Sequence, residues 1–244
     1  MVAILIMGFR MRYLDLKRKI CSVRMLAIQG IAEAGSGHPG ASLSAAELMG
    51  VLYFRKMNHS PTKPDWSERD YFINSKGHSA PGFFATLAIA GYFPPAEMKT
   101  LRKLGSRLQG HPVRYTEKET RQSVPGTEFS GGSEGIGLSV SIGIALANRL
   151  DGKKNRVYTL IGDGESNEGQ IWEAAMAAAK FKLHNLVAIL DRNRIQQDGF
   201  TEDIMPLDPT RDKWSAFNWN VIEIGGHNVE QIIDALNKAS EAKD

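Results

Sequence analysis

Between Val157 and Leu190 the chain reads as a short apolar run, a helical pattern and a second apolar run. The runs are Val157–Ile161 and Leu186–Leu190, and Asn167–Phe181 between them carries an alanine-rich face. Two short strands joined by a helix of that length are expected to pair parallel, because an antiparallel pair closes with a tight turn. The right-handed crossover then puts both strand ends on one edge of a sheet and the helix over one face. This unit excludes all-helical and sandwich folds.

The rest of the chain extends the alternation. Tyr71–Asn74 and Val221–Ile224 read as further strands. Leu16, Ile20, Val23, Ala27 and Ile31 recur at helical spacing and stop near Gly35. Further helices are expected from Ser42 or Ser44 to about Arg55, over 81–90, from Pro94 through Leu104, over Gly135–Leu150 and over Val229–Ala239. Residues 58–70 and 105–134 read as loop. The expected fold is α/β: a mostly parallel sheet with helices on both faces. One domain would span 16–244, after an extension over 1–15. Met1–Gly8 is apolar with Arg10 and Arg12 after it, the reverse of a signal peptide. It reads as a short extension or a wrongly chosen start, with Met7 and Met11 as alternatives. The cytoplasm is the default compartment.

Composition removes several classes of function. A net charge of +3 gives no reason to expect nucleic acid. No apolar stretch reaches membrane-spanning length. The single cysteine, Cys21, excludes an internal disulfide and a cysteine-rich zinc site; its place in a helical pattern suggests a small core residue.

The sharpest local signal is Gly162-Asp163-Gly164-Glu165-Ser166-Asn167-Glu168-Gly169, which follows a strand and opens a helix. Open α/β sheets bind ligands at the carboxyl ends of their strands, and a helix start there attracts an anion. Gly-Asp-Gly alone could be a plain turn. The next strand strengthens it, because it ends in Asp191-Arg192-Asn193-Arg194-Ile195, and Asn193 lies 30 residues after Asp163. Asp163 and Asn193 then lie on the same sheet edge. A carboxylate, an amide oxygen and a backbone carbonyl such as that of Ile195 are hard ligands suited to Mg²⁺ or Ca²⁺ shared with a diphosphate.

The Asp163–Asn193 pair resembles the thiamine-diphosphate motif shared by transketolase, pyruvate dehydrogenase and related enzymes. Ser36-Gly37-His38-Pro39-Gly40, Ser75-Lys76-Gly77-His78, Gly110-His111-Pro112 and the run Pro125–Ser133 narrow the resemblance to the transketolase family, in order and over nearly the whole chain. The resemblance implies the thiamine-diphosphate-binding (PP-type) fold. It implies that Asp163, Asn193 and the carbonyl of Ile195 hold Mg²⁺ or Ca²⁺, and that Gly164 and His78 contact the diphosphate. Gly132 would approach the cofactor by its backbone. His38 and His111 would line the cleft near the thiazolium and the substrate hydroxyls. Glu168 would communicate across a subunit interface with the glutamate that activates the aminopyrimidine. The implied reaction moves a two-carbon ketol unit between sugar phosphates, and histidine suits its proton transfers.

The pattern also departs from the family. Its pyrimidine-binding and C-terminal domains do not fit in 244 residues. The chain therefore resembles the N-terminal subunit of a split transketolase, active with a C-terminal subunit that carries the pyrimidine-binding domain. A heterotetramer, or a homodimer of the N-terminal chain, is the expected assembly, with the small-residue face of 135–147 where subunits meet. A further strand and a histidine-bearing loop follow in the family, whereas this chain closes at Glu241-Ala242-Lys243-Asp244 and reads as shortened. Glu134 stands where the family has an apolar residue, and needs a cation or solvent. Lys76 stands where many relatives have asparagine. His59, His184 and His227 read as ordinary surface or core histidines, although His227 follows Gly225-Gly226 and could face the cleft. The rival readings are another thiamine-diphosphate enzyme component, for 2-oxo acids or biosynthetic ketol transfer, and a truncated homologue without activity.

Overall fold

The structure is a computed structural model that describes residues 2–114 and 123–241, with side chains from residue 13 onward. In chain order it has α1 (Val2–Ala34), α2 (Pro39–Ser44), α3 (Ala46–Val51), β1 (Tyr71–Asn74), α4 (Ala80–Ala90), α5 (Ile136–Leu150), β2 (Val157–Gly162), α6 (Gly169–Lys180) and β3 (Leu186–Asp191). A small hairpin follows, β4 (Ile195–Gln196) with β5 (Gly199–Phe200), then α7 (Thr201–Ile204), α8 (Thr210–Ala216) and α9 (Val229–Glu241).

The expected β-α-β unit is present. Strands pair parallel in the order β1-β2-β3, with Gly162 opposite Asp191 at the far end. The two-residue period of the strands divides the core. Phe72, Tyr158 and Leu160 face a cluster built on α1, α3, α4 and α9, whereas Ile73, Val157 and Ile161 face α5, α6 and Trp214. Helices therefore cover both faces. Leu16, Ile20, Val23 and Ala27 are buried, as their spacing predicts. Pro81 sits in the first turn of α4, and Gly91 closes that helix in the left-handed region at φ +94°.

Several expectations need correcting. Val221–Ile224 pairs with no strand among the described residues. Val221 packs, partly buried, on the cluster that includes residues of α5 and α6, while Ile222 and Ile224 stay more than a third exposed. The first helix begins at Val2 instead of Leu16. The second helix begins at Pro39, earlier than its serines suggested, breaks at Ala45 and ends in a π turn over Leu52–Lys56. The helix expected from Pro94 is only a 3-10 turn, Pro95–Thr100. Cys21 is exposed, not a core residue. In the stretch read as loop, residues 115–122 lie outside the described residues.

Candidate active site

The site is built at the carboxyl ends of the strands. Because Gly162 and Asp191 are register partners, the chains leaving β2 and β3 start side by side. Asp163 is 2% exposed. Its Oδ1 accepts from the Gly164 N–H at 2.9 Å and its Oδ2 from the Arg194 N–H at 2.6 Å. The Arg192 guanidinium lies 3.3 Å from the same Oδ2. Asn193 Oδ1 accepts from the Ile195 N–H at 3.0 Å, and Arg194 turns the chain at φ +68°. Asp163 and the 193–195 turn are thus brought together, as the strand spacing predicts.

The donor set fits a hard divalent cation. The Oδ1 of Asp163 and the Asn193 amide oxygen each accept one hydrogen bond and retain capacity for a further contact, and a backbone carbonyl lies in the same turn. Among the described residues no group of three His, Cys, Asp or Glu side chains is placed to hold a metal, so the set is a mixed one of carboxylate, amide and carbonyl. Gly164 is crowded, since a methyl group there would lie 2.9 Å from Cβ and Oε1 of Gln196.

Beneath this turn lies a buried ion pair that no sequence motif indicates. Lys76 Nζ is 2.7 Å from Asp191 Oδ2, with side chains 2% and 12% exposed. The Ser44 hydroxyl donates to the same oxygen at 2.5 Å, and Asn193 Nδ2 reaches Ser44 Oγ at 3.5 Å. Lys76 therefore fixes the tip of β3 to the loop after β1. Glu165 makes a second junction of this kind. Its Oε1 accepts from the Ser75 hydroxyl and, at 2.9 Å, from the Gly135 N–H, and its Oε2 accepts from the Gly162 N–H at 2.8 Å. Burial pushes its carboxyl up despite these donors.

The three expected cleft histidines converge. His38 precedes α2, His78 lies on the 3-10 turn Gly77–Ser79, and His111 comes from the loop before residue 115. The ring centre of His38 is 5.5 Å from that of His78 and 6.4 Å from that of His111. Burial holds the imidazoles of His38 and His111 below the usual range, and the nearby His78 and Arg102 add to this. Both rings are therefore neutral at pH 7, each with one donor and one acceptor. A backbone seam sets the spacing: a methyl group on Gly77 would lie 2.7 Å from the Gly132 nitrogen and 3.1 Å from His111 Cδ2. Gly132 is exposed beside that seam, at φ +137°.

Glu134 has a hydrogen-bond partner in His78. Its Oε1 lies 3.0 Å from His78 Nδ1, and this contact holds its carboxyl below the usual range. Glu168 is not drawn into the cluster; it is exposed at the start of α6. His227 pairs with Glu47 at 2.9 Å, a carboxylate shared with Arg24. His59 is held by the Tyr92 hydroxyl and the Tyr53 carbonyl. The roles of Lys76, Asp191 and Glu165 escape sequence reasoning because their partners are distant in the chain; two carboxylates and a lysine next to glycine-rich turns are the only signal.

A parallel sheet with an oxygen-rich turn at two adjacent strand tips and imidazoles beside it defines an α/β domain of the cofactor-binding type. The family described as transketolase, thiamine diphosphate binding domain, matches residues 16–244. The 6-deoxy-6-sulfo-D-fructose transketolase subunit SqwG of Clostridium sp. (strain MSTE9) is 44% identical over 230 residues, 94% of this chain and 81% of that one. An apulose-4-phosphate transketolase subunit of Actinobacillus succinogenes is 40% identical over 93% of this chain and 80% of its own. Among solved structures, transketolase from Leishmania mexicana superposes with a TM-score of 0.85 at 31% identity, covering 93% of this chain and 35% of that chain. The chain spans about a third of the length of that solved transketolase. The chain belongs to the transketolase family, through its thiamine-diphosphate-binding domain.

Proposed function

We propose that this chain is the cofactor-binding, N-terminal subunit of a two-chain transketolase that moves a two-carbon ketol unit from a ketose phosphate to an aldose phosphate. The observation that carries this reading is the convergence of Asp163 with the 193–195 turn beside three clustered histidines. Residues 16–244 would form the binding domain, after an extension over 1–15.

Asp163, Asn193 and the Ile195 carbonyl would hold Mg²⁺, or Ca²⁺ in its place, with Gly164, Gly132 and His78 along the diphosphate. Thiamine diphosphate, when bound, supplies the carbon nucleophile and electron sink for C–C cleavage. The chain's own residues bind, orient and exchange protons. Asp163 carries the negative charge that fixes the cation. His38 and His111 are neutral, so their ring nitrogens can donate to a carbonyl oxygen or accept a hydroxyl proton. Glu168, exposed just before α6, would meet the partner subunit, which would bring the pyrimidine-binding domain. A heterotetramer is the assembly we assign. The relatives named for sulfofructose and apulose-4-phosphate are themselves called subunits, which supports a divided enzyme. Their names also direct the search for substrates to modified sugars carrying an anionic group. With one cysteine and no internal disulfide, we place the complex in the cytoplasm.

The test is calorimetric titration of thiamine diphosphate into the chain and its partner subunit, with and without Mg²⁺, followed by ketol transfer between sugar phosphates. Magnesium-dependent binding and transfer are expected. No binding in the assembled complex refutes the reading.

A further inference from the structure

The Glu134–His78 contact has a consequence for how the cleft meets an anion. Glu134 lies on the glycine-rich turn before α5, and His78 lies on the turn after β1. Their side chains are 38% and 30% exposed, so both are accessible to a ligand beside the histidine cluster. His38, His111, Lys76, Arg102 and Glu165 are the other charged or titratable groups around the pair. An ionised carboxylate has only acceptors, so the hydrogen in the 3.0 Å contact belongs to His78 Nδ1. Fixing that hydrogen fixes the ring's tautomer and plane, and leaves Nε2 on the opposite edge as the atom available to a ligand.

We propose that Glu134 is a positioning residue: it holds His78 by Nδ1 so that Nε2 is presented to a diphosphate oxygen. A proton arriving at Nε2 with the anion is balanced by the Glu134 carboxylate across the ring, so His78 can donate to phosphate without adding an uncompensated charge beside His38 and His111. The identity of the anion rests on the thiamine-diphosphate reading; the positioning role does not.

The proposal opposes the simplest electrostatic expectation. Removing a carboxylate from an anion-binding cleft should tighten anion binding if Glu134 acts only as a charge. If it acts through His78, removal should weaken binding. The experiment uses the full chain with Mg²⁺ and inorganic pyrophosphate as probe, comparing wild type, Glu134→Leu, His78→Gln and the double variant, with Glu134→Gln as the isosteric control. Nitrogen NMR of the labelled imidazoles reads the His78 tautomer directly. Glu134→Leu is expected to lose the Nδ1–H tautomer and to weaken pyrophosphate binding by roughly tenfold, the scale of one hydrogen bond to a charged group. In the His78→Gln background the same change should have almost no further effect. Glu134→Gln, whose amide oxygen can still accept, should fall between. An unchanged tautomer in Glu134→Leu, tighter pyrophosphate binding, or full additivity in the double variant overturns the proposal. If the tautomer changes as expected but wild type, assembled with its partner subunit, binds no pyrophosphate, the hold of Glu134 on the His78 tautomer stands and the thiamine-diphosphate reading falls.

Discussion

Replacing Lys76 by methionine tests whether the buried pair beneath the site holds the fold together. Methionine keeps most of the stem's volume and removes the ammonium. Asp191, 12% exposed, then keeps only the Ser44 hydroxyl at 2.5 Å in place of a cation at 2.7 Å. Removing one partner of a buried ion pair costs about 3–5 kcal/mol, and the remaining hydroxyl and partial exposure put this case near the lower end, about 3 kcal/mol. At about 2–4 °C per kcal/mol for a chain of this size, the melting temperature should fall by about 6–12 °C. Circular dichroism melts and urea midpoints of the full chain measure it. The double variant Lys76→Met/Asp191→Leu should recover most of the loss, because no charge is left buried and unpaired. A single variant that melts within about 2 °C of wild type, against that expected fall, would show that Asp191 finds water or another partner without cost. A double variant as unstable as the sum of the singles would show that the pair is not coupled.

Asp163→Ala should abolish magnesium-dependent binding of thiamine diphosphate, read by calorimetry, because it removes the charged member of the oxygen set. Gly77→Ala should both destabilise the chain and weaken cofactor binding, since its methyl group would meet backbone at 2.7 Å, which no rotamer change relieves; unaltered binding would argue against the seam. The histidines predict a pH dependence. With the His38 and His111 imidazoles held below the usual range, the unfolded chain binds protons more readily than the folded one. Their contribution to stability is therefore full above about pH 6.5 and is lost as the pH falls from there through the depressed values. Urea midpoints should drop across that window, and less steeply in His38→Gln/His111→Gln; an equal slope in both proteins would contradict it. Glu165→Gln should destabilise by about 1–3 kcal/mol, because an amide nitrogen would then face an N–H or hydroxyl donor.

What was legible in the sequence followed from short-range regularities. Helical spacing located the buried face of α1, and the β-α-β spacing put Asp163 next to Asn193, because a parallel crossover leaves little geometric choice. The meeting of His38, His78 and His111 followed no period and was expected only from the resemblance to transketolases. The contacts that span long sequence distances were not legible: Lys76 with Asp191, and Glu165 with Ser75 and Gly135, follow no period. Val221–Ile224 shows the limit of composition. Its branched and apolar residues suit a strand, but Val221 is partly buried against the cluster of α5 and α6 without a strand partner among the described residues. Glu134 stood out in the sequence as a carboxylate in need of a partner, and only the fold identified His78 as that partner.

The Gly77–Gly132 seam means that the separation of the turn bearing His78 from the glycine-rich turn before α5 is a main-chain dimension. Side-chain rearrangement cannot widen it, so that separation is the same whatever ligand is bound. Discrimination among substrates must then come from what borders the seam, Glu134 and Arg102 included, or from another chain that closes over it. Among related enzymes, new sugar preferences should arise from changes at those borders, with the two glycines left as they are.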